Sequence, residues 1–183
     1  MIDYFKNIPQ INYEGLESDN PLSFKHYDEE RKILGKSMKE HFRFATCYWH
    51  TFTWPGLDPF GGPTIERPWM SEGDPIKMAE IKLRSAFDFF TKIKTPYFCF
   101  HDRDIAPEGN NYKETLRNLN HIADLMEKEM QKTGMKLLWG TANAFSHKRY
   151  MAGASTNPNP EVFAYVAAQV KNCIDITKRL GGE

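Results

Sequence analysis

The sequence points to an α/β fold in which parallel strands alternate with helices. Short apolar runs end in polar segments and are followed by amphipathic helices, three times in order after residue 42. Each helix opens on a recognisable capping residue, and two open on Asp-Pro or Asn-Pro. The long polar segment follows the strand in every unit, while the return from helix to strand is short. Such alternation gives a parallel sheet with right-handed crossovers. The loop asymmetry resembles a TIM (β/α)8 barrel, whose sites sit on the loops after the strands. The chain therefore reads as three βα units of an incomplete barrel. A doubly wound sheet is the rival, but no Gly-rich fingerprint follows any strand.

Residues 1–42 read as an irregular N-terminal lead-in and residues 43–183 as the partial barrel. In the lead-in, residues 11–13 and 24–27 suit short strands around the turn-rich GLESDNPLS, and residues 37–42 suit a helical turn. Residues 43–49 (RFATCYW) are the first strand of the repeating unit. A long loop with four prolines follows over residues 51–73. Loops of that length inside a compact domain are often functional. It contains Asp58-Pro59-Phe60-Gly61-Gly62, which sets a large aromatic on a turn. Phe60 either folds back onto its own domain or is presented to a partner.

The first long helix has Asp74 as N-cap and Pro75 as its first residue. Ile76, Ala79, Leu83, Ala86, Phe90 and Ile93 form its apolar stripe. The strand of residues 97–101 comes next. The second long helix starts near Asn111, with Glu114 in capping-box position. Its stripe is Tyr112, Leu116, Leu119, Ala123, Met126 and Met130, and Gly134 stops it. The strand KLLWGT follows over residues 136–141, then a polar loop over residues 142–159. The third helix opens on Asn159 and Pro160, with Phe163, Val166, Val170, Cys173, Thr177 and Leu180 on one face. Gly181 and Gly182 end it.

Composition narrows the function classes. The 183 residues carry 24 basic and 24 acidic side chains, so the formal net charge is zero. That argues against nucleic acid or an anionic membrane as partner, since both require a basic face. Aromatics make up 14% of the chain, and many lie in loops, where they suit a walled pocket or a subunit interface. Cys47, Cys99 and Cys173 form no disulfide framework and read as buried thiols. The N-terminal MIDYFKNIPQ lacks the apolar core of a signal peptide, and no run approaches a membrane span. A cytoplasmic location is the expectation.

The chemistry centres on PYFCFHDRDIAPE, residues 96–108. An apolar strand ends there in His101, Asp102, Arg103 and Asp104, and such groups are costly to desolvate unless paired. Strand alternation puts Cys47 with Trp49, Cys99 with His101, and Leu137 with Trp139 and Thr141. If those faces point inward, Trp49, His101, Trp139 and Thr141 share one mouth. One imidazole between flat apolar walls suits the C–H face of a sugar. Asp104 is placed to accept the proton-bearing nitrogen of His101, fixing the tautomer and leaving the other nitrogen for general acid/base work. Asp102, of opposite parity, points away. A metal reading of His101, Asp102 and Asp104 is weak, because one strand end rarely converges three ligands on one ion. Plainer readings stand beside these: His101 on a solvated loop, and Trp139 as ordinary core.

The motifs RFATCYWHTF, DPFGG, PYFCFHDRDIAPEG, KLLWGTANAFSHKRYMAGASTNP and LGGE together resemble the amino-terminal part of xylose isomerase, of the class with a longer N-terminus. The resemblance implies an aldose–ketose isomerase that interconverts D-xylose with D-xylulose and D-glucose with D-fructose. His101 and Asp104 match the family's HD-x-D pair, in which the His assists ring opening and the Asp orients it. Trp49, Trp139, Thr141 and Phe145 match pocket-lining positions. Phe60 matches a residue that enters the neighbouring subunit's site. The family works as a homotetramer of barrels with two divalent ions (Mg, Mn or Co). The resemblance also implies that the metal ligands and the catalytic Lys belong to later strands. The expectation is therefore a fragment made of the first three βα units of the barrel, which holds no metal, is inactive alone, and pairs with a complementary barrel portion or copies of itself. The alternative is a non-catalytic association module in which His101 is idle.

Overall fold

A computed structural model describes residues 4–71 and 73–183. The first three residues of the lead-in and Glu72 of the long loop lie outside the described residues. The architecture is mixed α/β. β1 (Asn12–Tyr13) and β2 (Ser23–Phe24) pair in parallel, and β3 (Lys32–Ile33) and β4 (Lys36–Ser37) form a hairpin. The one-turn α1 (Met38–His41) follows, and the Glu40 carboxylate accepts hydrogen bonds from the N–H and hydroxyl of Ser37. The hairpin was not legible as such. Its turn is Leu34-Gly35, both at positive φ, a conformation usually flagged by Asn-Gly.

The main sheet has the order β5 (Ala45–Cys47), β6 (Tyr97–His101), β7 (Lys136–Thr141), all parallel. Two βαβ crossovers connect it, through α2 (Pro75–Ile93) and α4 (Tyr112–Thr133); α5 (Pro160–Arg179) follows β7. The caps form as the sequence indicates. Asp74 accepts from the N–H groups of Ile76 and Lys77, Asn111 from that of Glu114, and Asn159 from that of Glu161. Gly134 closes α4 in the left-handed region. Glu114 departs from the capping-box expectation: its carboxylate takes the N–H of Asn110, one residue outside the cap.

The helices cover one face of the sheet. Phe98 and Phe100 of β6 and Leu137 of β7 are buried there with Leu83, Phe87 and Phe90 of α2, Leu119, Ile122 and Met126 of α4, Ile176 of α5 and Leu180 at its C-cap. Phe98 stacks on Phe90 at 5.6 Å and meets Phe87 edge-on at 5.2 Å. Each such ring removed from water stabilises the fold by roughly 1.5–3 kcal/mol. One stripe is only partly buried as read. Phe163 and Val170 of α5 are exposed, because that helix meets the core through Val166, Cys173 and Ile176, with Leu180 at its C-cap.

Two strand readings are corrected. The first strand stops at Cys47, and Trp49 opens a π-helical turn, Trp49–Thr53, closed by the Trp54 N–H on the Trp49 carbonyl at 2.6 Å. The wide turn sends Phe52 into the core, against Tyr48, Trp69, Phe89 and Phe90. In β7 the register shifts: Phe98 pairs with Leu137, but Cys99 pairs with Trp139. Leu138 is the extra residue of a bulge. Leu137 therefore faces the helices, while Trp139 and Thr141 align with Cys99 and His101 on the other face. Gly140 then points at α5, and a Cβ there would lie 2.8 Å from the Phe100 ring. Among the described residues, no helix is long and apolar enough to cross a membrane.

Candidate functional site

The site lies where β5, β6 and β7 end, on the face the helices leave open. β6 delivers His101 at its last position, and α3 (Asp102–Ile105) starts at once. One helical turn brings residue 104 back over residue 101. Asp104 Oδ2 accepts from the His101 backbone N–H at 3.0 Å and lies 3.0 Å from the His101 Nδ1. A carboxylate only accepts, so Nδ1 carries the proton and Nε2 is left for a ligand. Both side chains are largely withdrawn from water.

Three aromatic rings surround the imidazole. Trp49 is 4.8 Å away, Trp139 6.1 Å and Phe145 5.4 Å, all edge-on. The two indoles are 5.5 Å apart. The sequence placed Trp49, Trp139 and His101 at one mouth, and they meet there even though Trp49 sits on the π turn. Thr141 is opposite His101 in the register and is exposed. Phe145 reaches the group from the loop after β7. Phe60 does not: it sits 99% exposed on the turn closed by the bridge between Asp58 and Gly61. Asp102 points away from the rings, as its parity requires.

Several residues around the pair escaped the sequence reading. Lys82 of α2 is buried, with its ammonium 3.4 Å from the Thr53 hydroxyl, which in turn is 3.4 Å from the Asp104 carbonyl oxygen. Burial pushes Lys82 down to about 8, against the opposing pull of the Asp104 charge. The Tyr48 hydroxyl is buried without a hydrogen-bond partner among the described residues, and burial with the Asp104 charge holds its proton on firmly. A lysine in an amphipathic helix carries no signal of burial, and neither did Tyr48 in a strand-like run. Burial also pushes the Cys99 thiol up to about 11. Asp102, Asn143 and Gln169 form a buried polar cluster that no motif announced.

Among the described residues, no group of three or more His, Cys, Asp or Glu side chains converges as a metal site would require. The described residues therefore do not fit a divalent ion. They provide one oriented imidazole with three aromatic rings around it, an arrangement chemically suited to proton transfer beside flat apolar faces.

No family model matches the chain. It is similar to the xylose isomerase of Photobacterium profundum, 58% identical over 183 residues, which is all of this chain and 42% of that relative. The xylose isomerase of Paraburkholderia phytofirmans is 55% identical over 182 residues, all of this chain and 41% of that relative. That of Brucella ovis is 58% identical over 180 residues, 98% of this chain and 41% of that relative. The chain thus spans about two fifths of the length of the relatives it matches.

Proposed function

Because the chain is homologous along its length to an N-terminal part of xylose isomerases, we propose that it supplies the ring-opening side of an aldose–ketose isomerase acting on D-xylose and D-xylulose, and on D-glucose and D-fructose. The observation that carries this is the His101–Asp104 pair with Trp49, Trp139 and Phe145 around it. Opening a cyclic sugar requires a proton to leave the anomeric hydroxyl and a proton to reach the ring oxygen. The C1–O5 bond breaks as the C1 carbonyl forms. A neutral imidazole held by Asp104, with Nε2 free, can take the first proton and return it to the ring oxygen. The indoles stack on the sugar's C–H face and keep water from the open chain. Thr141 adds a hydroxyl at the rim.

The two divalent ions of the family have no ligand set among the described residues. In this reading the ligands come from a complementary barrel portion, and the 183-residue chain alone is inactive. Phe60, held out on its turn, enters a neighbouring subunit of a homotetramer. Residues 1–42 are the lead-in to a barrel that starts at residue 43.

The test fuses this chain to the remaining part of the Photobacterium profundum relative and follows D-xylose conversion with Mg²⁺. Turnover is expected, and His101→Asn is expected to lower it at least about a hundredfold, the scale of a lost general acid/base. Unchanged turnover in His101→Asn would leave only association as a role for this chain. Turnover by the chain alone with Mg²⁺ or Mn²⁺ would overturn the claim that the metal ligands lie elsewhere.

A further inference from the structure

Phe145 is 66% exposed, yet its ring stands at 89° to the His101 imidazole with centroids 5.4 Å apart. A ring with so little packing of its own is placed by its backbone. That backbone is tied down from behind. Asp102 is 1% exposed, and its Oδ1 accepts the Asn143 N–H at 2.8 Å and the Arg103 N–H at 2.9 Å. Its Oδ2 accepts from the Gln169 Nε2 at 2.7 Å, with the Arg103 guanidinium 3.6 Å away. Gln169, 3% exposed, also donates to the Asn143 carbonyl at 3.1 Å, and its own carbonyl accepts from the Tyr150 hydroxyl. Both backbone groups of Asn143 are therefore held from the helix side. The Asn143 side chain then folds the next turn. Its Oδ1 accepts the N–H groups of Phe145 at 3.3 Å and Ser146 at 2.9 Å, and its Nδ2 donates to the Ser146 hydroxyl at 2.9 Å.

We propose that Asp102, with Gln169 and Asn143, is the positioning set that places Phe145 over His101 and so tunes how well the recess holds sugar. The inference rests on the reading of His101 as a sugar-handling group. None of the three residues touches the recess. Consecutive residues thus divide the work: His101 faces the recess, and Asp102 faces α5 and anchors the loop that closes over it. A buried carboxylate engaged by two backbone N–H groups, an amide and a guanidinium is costly to disturb, which suits an anchor. Loss of the anchor loosens one wall while the His101–Asp104 pair stays intact, so the effect falls on KM.

The test is a double-mutant cycle in the fused protein, with kcat and KM measured for D-xylose. Asp102→Asn, Asn143→Ala and Phe145→Ala are each expected to raise KM by about five- to tenfold, the scale of one lost aromatic wall. Adding Asp102→Asn or Asn143→Ala to Phe145→Ala is expected to raise KM no further. Asn143→Ala leaves every bond from Asp102 and Gln169 to the backbone in place, so it reads the turn without disturbing the buried cluster. A wild-type KM in Asn143→Ala, or an Asp102→Asn effect as large without Phe145 as with it, would overturn the proposal. His101→Asn separates the two claims: turnover that survives it sinks the ring-opening reading, while lost turnover with an unmoved KM in the other variants sinks only this one.

Discussion

Replacing Lys82 with Met tests the energetics of the layer behind Asp104. Lys82 is 6% exposed, and its hydrogen bond to Thr53 is long. Burial lowers it from an ordinary value of 10.5 to about 8, so the unfolded chain binds this proton more tightly than the folded one. Stability therefore rises with pH between about 8 and 10.5, and the cost of the buried cation is fully present below about 8. At about 1.4 kcal/mol per pH unit, that cost is about 3 kcal/mol. Met keeps the length of the stem and carries no charge. Lys82→Met is therefore expected to gain about 2–3 kcal/mol at pH 7, and the gain to shrink as pH approaches 10.5. Urea unfolding of both proteins at about pH 7, 8, 9 and 10 checks this, because other titrating groups cancel in the difference. A variant no more stable at pH 7, with a flat difference curve, would show that Asp104 compensates the ammonium and that the burial argument fails.

Other positions give sharper local tests. Gly140→Ala drives a methyl to within 2.8 Å of the Phe100 ring and 2.6 Å of the Thr177 hydroxyl, so it is expected to cost about 1–3 kcal/mol in the urea midpoint. Asp74→Ala frees the N–H groups of Ile76 and Lys77, and should cost α2 about 1 kcal/mol in the same measurement. Cys173 is buried beside Asp102, and both burial and that charge raise its thiol, while burial raises Cys99 to about 11. Under native conditions at about pH 8, iodoacetamide should modify both far more slowly than free cysteine, read by mass spectrometry. Rapid alkylation of Cys173 would mean that α5 opens from the sheet.

What the sequence disclosed follows from what is local. The helix starts were legible because a cap and its N–H partners lie within three residues, as at Asp74, Asn111 and Asn159. The His101–Asp104 pair was legible for the same reason: one turn of chain brings the two together. Parity carried Trp139 and Thr141 to the right face, but it placed Leu137 there as well. The bulge at Leu138 answers to β6 and α5, and nothing in KLLWGT encodes it. Apart from the adjacent Arg103, the partners of Asp102 lie 41 and 67 residues away, so parity could say where Asp102 does not point and not what it holds.

That distinction bears on how the recess is built. Its chemical pair is set within one short helical turn and needs little from the rest of the chain. Its walls come from separate segments, and each depends on packing behind the sheet. Trp49 is held by a π turn whose Phe52 is locked in the core. Phe145 is held by Asp102 and Gln169 through Asn143. Substitutions behind the sheet should therefore alter how well sugar is gripped before they alter proton transfer. A variant of Gln169 or Phe52 that lowered kcat while leaving KM untouched would break that division between pair and walls.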